Sequence, residues 1–337
     1  MLRVPFTDLF TALHRAMLSL GLQGDRAALC AQLFAETTRD GIYSHGLNRF
    51  PRFEAMVRNG SIDVHATPTL AAAFGSIERW NGNLGVGNLN AYASMRRAIE
   101  LAREHGVGVV ALANTNHWMR GGAFGWQAAE EGIFALCWSN TLANVPAWGA
   151  TTPAIGNNPL VVAVPRADGH VVLDMAMSQF SYGALASYSK RGQPLPVPGG
   201  YDAQGHLTQD AAAIEASQRA LPVGYWKGSG LSLVLDMIGA MVSGGMATHQ
   251  LSRDPLREAG QSQIFLAIDP SNIATADELN RIADGIIDHL RHATLADPTQ
   301  PIRYPGEQTL HLREENMRLG VPVDPDVWQR ITQELNA

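Results

Sequence analysis

The sequence predicts a mixed α/β protein whose central sheet packs on a helical domain made from both chain ends. Short apolar runs, several rich in β-branched residues, fill the middle of the chain between residues 105 and 268. Apolar residues at helical spacing dominate both ends, over residues 7–38 and 277–319. No G-x-G-x-x-G sequence links a predicted strand to a helix, and no Walker A sequence occurs, so we expect a non-Rossmann sheet.

The N-terminal third alternates helices with glycine-rich breaks. Leu9, Leu13 and Met17 repeat at helical spacing before Gly21 ends the first helix, and Asp25 can cap the second. Three further elements are predicted before residue 106: a strand at 68–74, a loop at 82–88 and a helix at 89–105.

The middle of the chain supplies most of the predicted strands. They cover 107–113, 133–138, 160–164, 170–174 and 263–268, with a helix at 123–131 between the first two. Several of these strands end in polar residues, and ligands of α/β sheets collect at such ends.

Two further stretches complete the outline. Residues 189–224 are rich in proline and glycine, and we expect a long irregular connection there. Apolar residues 231–242 form a helix behind a glycine-rich entry at 224–230, and helices at 277–293 and 310–319 follow the last strand. We expect a helical unit of residues 1–75 plus about 277–337 and a mixed-sheet unit of residues 76–276.

Composition narrows the class of protein. The net charge is −6 with no long basic run, which disfavours nucleic-acid binding. Only 17% of the residues are charged, which favours burial of surface in an oligomer. Cys30 and Cys137 lie in apolar contexts typical of buried thiols. The first residues do not resemble a secretory signal, and the apolar run 231–242 is too short to span a bilayer, so we expect a cytoplasmic protein without membrane contact.

Residues 40–53 contain more reactive and charged side chains than the fold alone requires. They contain Ser44, His45, Asn48, Arg49 and Arg52. On one continuous helix, positions 45, 49 and 52 share a face, which would set a proton carrier beside two guanidinium groups. Such a face can seat a small anion with a reactive carbonyl, while the alternative is a solvated helix start with surface arginines.

A second histidine also has polar residues as neighbours in the sequence. His117 follows a predicted buried strand, lies next to Asn116, and is followed by Arg120. Reduction of a carbonyl needs a proton donor for the nascent alkoxide and positive groups to hold an acid substrate. We therefore expect Asn48, Arg49, Arg52 and Arg120 to bind the substrate beside His45 and His117.

The sequence offers two possible cofactor contacts. Lys227, at the glycine-rich entry to an apolar helix, can hold a phosphate together with the positive helix end. Asp174, at the end of a predicted strand, can accept from ribose hydroxyls or cap a helix. No zinc-binding sequence occurs, so we expect no metal site.

Several motifs resemble one known family. They are the segments 43–53, 116–122, 125–129, 156–159 and 224–230, including Ser-His-Gly, Asn-His and Gly-Tyr-Trp-Lys-Gly-Ser-Gly. Together they are similar to the malate/L-lactate dehydrogenase family of non-Rossmann type, and the likeness spans nearly the whole chain.

The resemblance implies an NAD(P)H-dependent homodimer whose helical unit serves the substrate and the dimer contact. It places the catalytic acid at His45 beside Ser44, with the same role assigned to the residue matching His117 in related members. Arg49 and Arg52 would lie near the substrate. The implied cofactor-binding residues are His170, Val171, Val172, Leu173, Asp174, Met175, Ala176, Trp226, Lys227, Gly306, Glu307 and Gln308.

The expected reaction is reduction of a small sugar-derived keto acid with hydride from NADH or NADPH. Other substrates of the same scaffold remain open: malate or L-lactate, ureidoglycolate and cyclic imino acids. A sugar-acid-binding protein without enzymatic activity would use similar arginines and aromatic residues, but it would need no nucleotide.

Overall fold

The computed structural model describes residues 2–333 and has a seven-stranded mixed sheet at its centre. The strands are β1 Leu2–Val4, β2 Thr69–Phe74, β3 Ile77–Asn81, β4 Val107–Asn116, β5 Phe134–Ser139, β6 Val145–Pro146, β7 Pro153–Ile155, β8 Leu160–Val164, β9 Val171–Met175, β10 Gly200–Tyr201, β11 Leu207–Thr208, β12 Ala259–Ile268 and β13 Val321–Val323. The sheet order is β2-β3-β4-β12-β5-β8-β9, and β3 and β4 are its one parallel pair. This arrangement confirms the predicted mixed, non-Rossmann α/β fold.

Helices cover the sheet and form a separate core beside it. They are α1 Phe6–Ser19, α2 Gly24–Arg39, α3 Phe50–Arg58, α4 Gly87–His105, α5 Gly122–Glu130, α6 Tyr182–Arg191, α7 Ala211–Ser217, α8 Trp226–Ser243, α9 Ala276–Arg291, α10 Glu307–Leu319 and α11 Pro325–Gln333. No helix within residues 2–333 is both long enough and apolar enough to cross a membrane.

The two faces of the sheet are buried by different helices. Met95 of α4 and Phe124 of α5 pack on one face against Leu112 and Phe265, whereas Leu235 of α8 packs on the other. Strand β4 approaches α4 so closely that a Cβ at Gly108 would collide with the carbonyl oxygen of Ala98. The central strand is therefore fixed against α4, which sets the position of the residues that follow β4.

The two ends of the chain meet in one helical core. Strand β1 pairs antiparallel with β13, with Leu2 opposite Val323. Side chains of α1, α2 and α3 share a buried cluster with β13 and α11. The ends thus join as the sequence indicates, while the residue bounds of the two units stay a prediction.

The prediction of an irregular connection over 189–224 is wrong. This segment begins in the last turn of α6 and contains the β10–β11 hairpin and α7. The side chain of Asp210 caps α7 by accepting from the backbone N–H groups of Ala212 and Ala213. These elements form their own buried cluster around Leu195 and Ile214. They are too short to show a periodic pattern, so the proline and glycine content dominated the prediction.

Two other elements differ from the prediction. Strand β3 went unpredicted because only five residues, with polar side chains at Glu78 and Arg79, separate two turns. Helix α8 begins at Trp226 rather than after Gly230, so Gly228 and Gly230 lie inside the helix. A Cβ at Gly228 would collide with the carbonyl oxygen of Val223, so this glycine permits close packing within the helix entry.

Candidate active site

The histidines predicted to be catalytic lie face to face. The rings of His45 and His117 stack with centroids 5.9 Å apart and an interplanar angle of 23°. Ser44 Oγ lies 2.9 Å from Nδ1 of His45. Residues 72 positions apart in the chain therefore form one polar cluster.

His45 is held by two consecutive 3-10 turns, Tyr43–His45 and Leu47–Arg49, before α3 begins at Phe50. One continuous helix from His45 to Arg52, on which the predicted shared face depends, is therefore wrong. Gly46 separates the turns, lying too close to the Thr38 side chain to accept a Cβ, and Thr38 Oγ1 accepts from the Leu47 N–H at 2.9 Å. Pro51 falls in the first turn of α3, where its missing N–H removes no helix hydrogen bond.

His117 is held by the backbone that follows β4. The N–H of Met119 donates to Nδ1 of His117 at 3.0 Å. Met119 adopts φ of +65°, an unfavourable conformation for a non-glycine residue. A Cβ at Gly87 would collide with the carbonyl oxygens of Asn116 and His117, so the start of α4 also supports this segment.

Both histidines are neutral at neutral pH. Burial, together with the charges of Arg49, Arg120 and Arg52, lowers the pKa of His45 to about 4. Burial, together with Arg49, His45 and Arg52, lowers the pKa of His117 well below its ordinary value. Each imidazole is partly accessible, so protein surrounds the pair without sealing it from solvent.

Arg49 and Arg52 share one carboxylate. Nη2 of Arg52 donates to Oε2 of Glu258 at 2.8 Å, and Nη2 of Arg49 lies 3.9 Å from the same oxygen. Burial and the charge of Arg52 lower the pKa of Arg49 to about 10, against an opposing effect of Glu258.

Arg120 reaches the site from the segment after His117. Its Nη1 donates to Oδ2 of Asp40 at 2.7 Å, and Arg313 of α10 binds the same carboxylate at 2.9 and 3.0 Å. Burial raises the pKa of Asp40, but the Arg313 hydrogen bond and the charges of Arg120, Arg39 and Arg313 outweigh it and hold the pKa at about 2. Asp40 therefore stays ionised and fixes Arg120.

A cavity of about 380 Å³ lies next to Arg120, a volume typical of part of a cofactor site. It is lined by Ile42, Arg120, Trp126, Val172, Leu173, Asp174, Arg303, Tyr304, Pro305, Gly306 and Thr309. Gly306 has φ of +96°, and a Cβ there would lie 3.1 Å from the backbone nitrogen of Val172. The glycine therefore allows residues 305–306 to approach β9, and the Val172 N–H donates to the Pro305 carbonyl at 3.0 Å.

Asp174 lines the cavity and keeps an exposed face, although protein atoms crowd around its carboxylate. Its Oδ2 accepts from the N–H of Gly122 at 2.9 Å, so it caps the start of α5 rather than a helix that follows it. Burial raises the pKa of Asp174, while the charge of Arg120 and the Gly122 hydrogen bond oppose the rise. Two guanidinium groups and one carboxylate around a cavity suit the phosphates and hydroxyls of a dinucleotide. In addition, Nε of Arg120 is buried without a hydrogen-bond partner among the described residues.

The remaining predicted residues lie outside this cavity lining. Asn48 is exposed, and Trp226 and Lys227 lie exposed at the start of α8. Nδ1 of His170 accepts from the Arg166 N–H, and the His170 ring contacts Trp126. Glu307 accepts from the Tyr304 N–H, which precedes α10, and pairs with Arg291. Val171, Met175, Ala176 and Gln308 also lie outside the lining.

Sequence reasoning missed the carboxylates that organise the arginines. Asp40 and Glu258 contact them from distant parts of the chain, and Arg313, Arg303 and Tyr304 come from the C-terminal quarter. Asp40 begins the segment 40–53, but its pairing with Arg120 and Arg313, like the other contacts, exists only in the folded chain. Trp126 was part of a family motif, which could have indicated its place in the cavity lining.

No group of three or more His, Cys, Asp or Glu side chains within residues 2–333 is arranged to hold a metal ion. The mixed sheet, the histidine pair among arginines and the cavity beside β9 are the features expected of an oxidoreductase without a Rossmann domain. A model of the family described as malate/L-lactate dehydrogenase matches residues 4–332, and the chain belongs to this family.

Similar proteins include enzymes with different stated substrates. The chain is 46% identical to 2,3-diketo-L-gulonate reductase of Shigella boydii serotype 4 over 330 residues, covering 98% of this chain and 99% of that one. Delta1-piperideine-2-carboxylate reductase of Pseudomonas syringae pvar. tomato has a similar solved structure, at 27% identity and a TM-score of 0.88, covering 99% and 100% of the two chains. The sulfolactate dehydrogenase of Methanocaldococcus jannaschii shares the fold, at 24% identity and a TM-score of 0.91, covering 99% and 98%.

Proposed function

We propose that this protein reduces 2,3-diketo-L-gulonate to 3-keto-L-gulonate with hydride from NADH or NADPH. The observation that carries the proposal is a stacked histidine pair set among arginines, in a chain 46% identical to a 2,3-diketo-L-gulonate reductase. Dehydrogenases of this family are NAD(P)-dependent. A keto acid needs a cation for its carboxylate and a proton for its carbonyl oxygen, and the cluster contains both types of group.

His45 is the proton donor in this mechanism. A serine hydroxyl both donates and accepts, so Ser44 can hydrogen-bond to Nδ1 of either the neutral or the protonated ring. Nε2 of His45 makes no hydrogen bond within residues 2–333. The imidazolium can therefore transfer its Nε2 proton to the carbonyl oxygen as the hydride arrives at carbon, and then recover a proton from solvent.

His117 acts as a neutral hydrogen-bond donor. Its Nδ1 accepts from the Met119 N–H, which places the proton of the neutral ring on Nε2. Protonation of Nδ1 would set two N–H groups against each other. His117 is therefore suited to orient and polarise the carbonyl, and His45 to transfer the proton.

The arginines hold the acid. The guanidinium of Arg49 makes no hydrogen bond to a described residue, so it is available for a carboxylate. Arg52 and Arg120 are fixed by Glu258 and Asp40 and add positive charge around the bound anion. Asn48, exposed beside this cluster in the chain, is proposed to contact the distal hydroxyl groups of the sugar acid.

The dinucleotide is proposed to bind against Val172, Leu173, Asp174 and Gly306, with Arg120 and Arg303 beside its phosphates. When bound, the nicotinamide supplies the hydride. The flanking segments 170–176, 226–227 and 306–308 are proposed to complete the site. NADH and NADPH are not distinguished by these residues.

A homodimer is proposed whose contact is the outer surface of α8, in the mixed-sheet unit, rather than the helical unit that the resemblance implies. This helix exposes Leu231, Leu233, Val234, Met237, Ile238, Met241 and Val242. So large an apolar helical face is unusual on a monomer and typical of an interface. Trp226 and Lys227 begin the same helix, so a dimer contact here would lie next to proposed cofactor residues. Use of NADH and two free buried thiols support a cytoplasmic location.

A second candidate function is reduction of a cyclic imino acid. The similar structure of delta1-piperideine-2-carboxylate reductase favours it, because an imine and a ketone can accept hydride in the same site. Malate, L-lactate and ureidoglycolate are further candidates that the same scaffold could accept.

Oxidation of NADH and of NADPH separates these functions. Each is followed after addition of 2,3-diketo-L-gulonate, pyruvate, oxaloacetate or delta1-piperideine-2-carboxylate, and the reverse reaction is followed with ureidoglycolate. We expect the highest kcat/KM with 2,3-diketo-L-gulonate. Turnover confined to another acid would overturn the proposed substrate, and failure to bind either nucleotide would overturn the reductase assignment.

A further inference from the structure

Glu258 is a buried carboxylate at the centre of the arginine cluster. The residue is 4% exposed, and three donors contact it: Arg52 at 2.8 Å, the side-chain amide of Gln261 at 2.9 Å and the N–H of Leu142 at 3.3 Å. These donors come from α3, β12 and the segment after β5. The carboxylate is thus fixed from three directions before any ligand binds.

The two neighbouring arginines differ in whether their guanidinium groups are free to bind an anion. Arg52 is committed to Glu258 by a short, charge-assisted hydrogen bond. Nη2 of Arg49 is 3.9 Å from the same carboxylate, beyond hydrogen-bond distance, although its side chain is only 17% exposed. A guanidinium so enclosed and without a hydrogen bond is ready to receive an anion, whereas its neighbour is not.

We propose that Glu258 is a positioning residue that holds Arg52 and thereby leaves Arg49 as the single guanidinium for the substrate carboxylate. This inference rests on the proposed keto-acid reduction. Two equivalent guanidinium groups side by side would offer the substrate carboxylate two binding positions. One of these would place the keto carbon wrongly relative to His45. By occupying one of them, Glu258 gives the substrate one orientation.

Glu258→Gln keeps the shape of the side chain and removes its charge. Arg52 then becomes a second binding position for the substrate carboxylate. We therefore expect KM to fall and kcat to fall by about 10-fold or more, because the substrate binds more tightly but in a misplaced orientation. Structural damage alone would raise KM or leave it unchanged.

A rescue experiment gives the sharper test. In Arg52→Gln, the released Glu258 is free to pair with Arg49, and we expect KM for the keto acid to rise roughly 30-fold or more from loss of the charge-assisted contact. Adding Glu258→Gln to that variant frees Arg49 again and should recover about 10-fold of the loss, a coupling that a double-mutant cycle measures. Arg49→Gln should lower kcat/KM as strongly, and Glu258→Gln should not restore it, because acid bound at the freed Arg52 is misplaced for the reaction.

Glu54→Gln is the matched control. Glu54 is another buried carboxylate between two arginines, Arg58 and Arg330, on the same helix as Arg52. We expect it to lower thermal stability while leaving kcat and KM each unchanged. If Glu258→Gln behaves like this control, or if the double variant is no better than Arg52→Gln, the positioning role is overturned.

Two further measurements keep the test decisive. If Glu258→Gln does not fold, Arg52→Lys should preserve KM, because lysine still pairs with Glu258. Arg49→Lys should raise KM about 10-fold through loss of bidentate pairing, and equal effects would overturn the proposal. The dissociation constants of oxalate, measured by calorimetry in the presence of NADH, should rank the variants in the same order as KM does. The role of Glu258 can then be judged even if no keto acid tested is turned over.

Discussion

At the scale of single residues, the pKa of His45 must rise before the ring can donate a proton at neutral pH. In the ligand-free protein, burial and three guanidinium charges hold this pKa at about 4. A carboxylate bound to Arg49 would offset one of those charges and favour the imidazolium, so the pKa of His45 should rise on binding. Substrate binding and protonation of His45 are thus coupled through Arg49.

This coupling predicts different titrations for the two histidines. In NMR spectra of ¹⁵N-histidine-labelled protein, the pKa of His45 should rise by about one unit or more when oxalate binds in the presence of NADH. His117 should stay neutral with its proton on Nε2 from pH 5 to 8, because the Met119 N–H occupies Nδ1. A His117 ring that is protonated near pH 6.5, or that carries its proton on Nδ1, would contradict the division of roles.

The residues that sequence reasoning found and missed differ in a physical way. His45, Arg49 and Arg52 stand together in the chain, and His117 and Arg120 stand at a strand end, so local patterns were enough to single them out, while their roles stay predictions. Glu258 lies 206 residues from Arg52, and Arg313 lies 273 residues from Asp40. Such partners are chosen by tertiary packing, and no local pattern indicates them.

At the scale of elements, long apolar segments were predictable and short polar ones were not. The strand predicted at 160–164 matches β8, and the helix predicted at 277–293 nearly matches α9. The stretch around His45 was predictable in composition but not in shape. Its two 3-10 turns depend on Gly46 packing against Thr38, a contact made with the preceding helix.

The exposed apolar face of α8 leads to a prediction about assembly. Met241 is 72% exposed near the end of this helix. Met241→Glu would set a charge in the proposed interface, so the dimer should dissociate into monomers at micromolar concentration, as measured by sedimentation velocity. Leu18→Glu, at an exposed apolar position of α1, is the control and should leave the mass unchanged. A wild-type protein that sediments as a monomer would contradict the proposed dimer.

At the scale of the whole molecule, the buried neutral histidines make stability depend on pH. The unfolded chain binds protons on these rings as the pH falls through about 6.5, whereas native His45 stays neutral until near pH 4. Their stabilising contribution is therefore complete above pH 6.5 and is lost as the pH falls towards 4. Asp40, with its lowered pKa, contributes a separate loss as the pH falls from about 4 towards 2.

Urea unfolding at pH 7 and pH 5 measures this dependence. The free energy of unfolding should fall by roughly 2 kcal/mol over this interval from His45 alone, and His117 should add a further loss in the same direction. His45→Asn should remove the His45 part of that fall, while His249→Asn, at an exposed position, should retain the wild-type difference. An equal pH dependence in wild type and His45→Asn would show that His45 is not held neutral in the native protein.

The central claim joins the fold, the arginine cluster and His45 in one reaction, so turnover by wild type and His45→Asn side by side tests it most directly. With NADH or NADPH and 2,3-diketo-L-gulonate, wild type should oxidise the nucleotide. The variant should be slower by about 10²- to 10⁴-fold, the range expected for loss of a general acid. Quenching of the variant's fluorescence by NADH should match wild type, because His45 lies outside the cavity lining. Turnover by wild type with pyruvate or oxaloacetate but not with 2,3-diketo-L-gulonate, or a variant that retains full activity, would contradict the account.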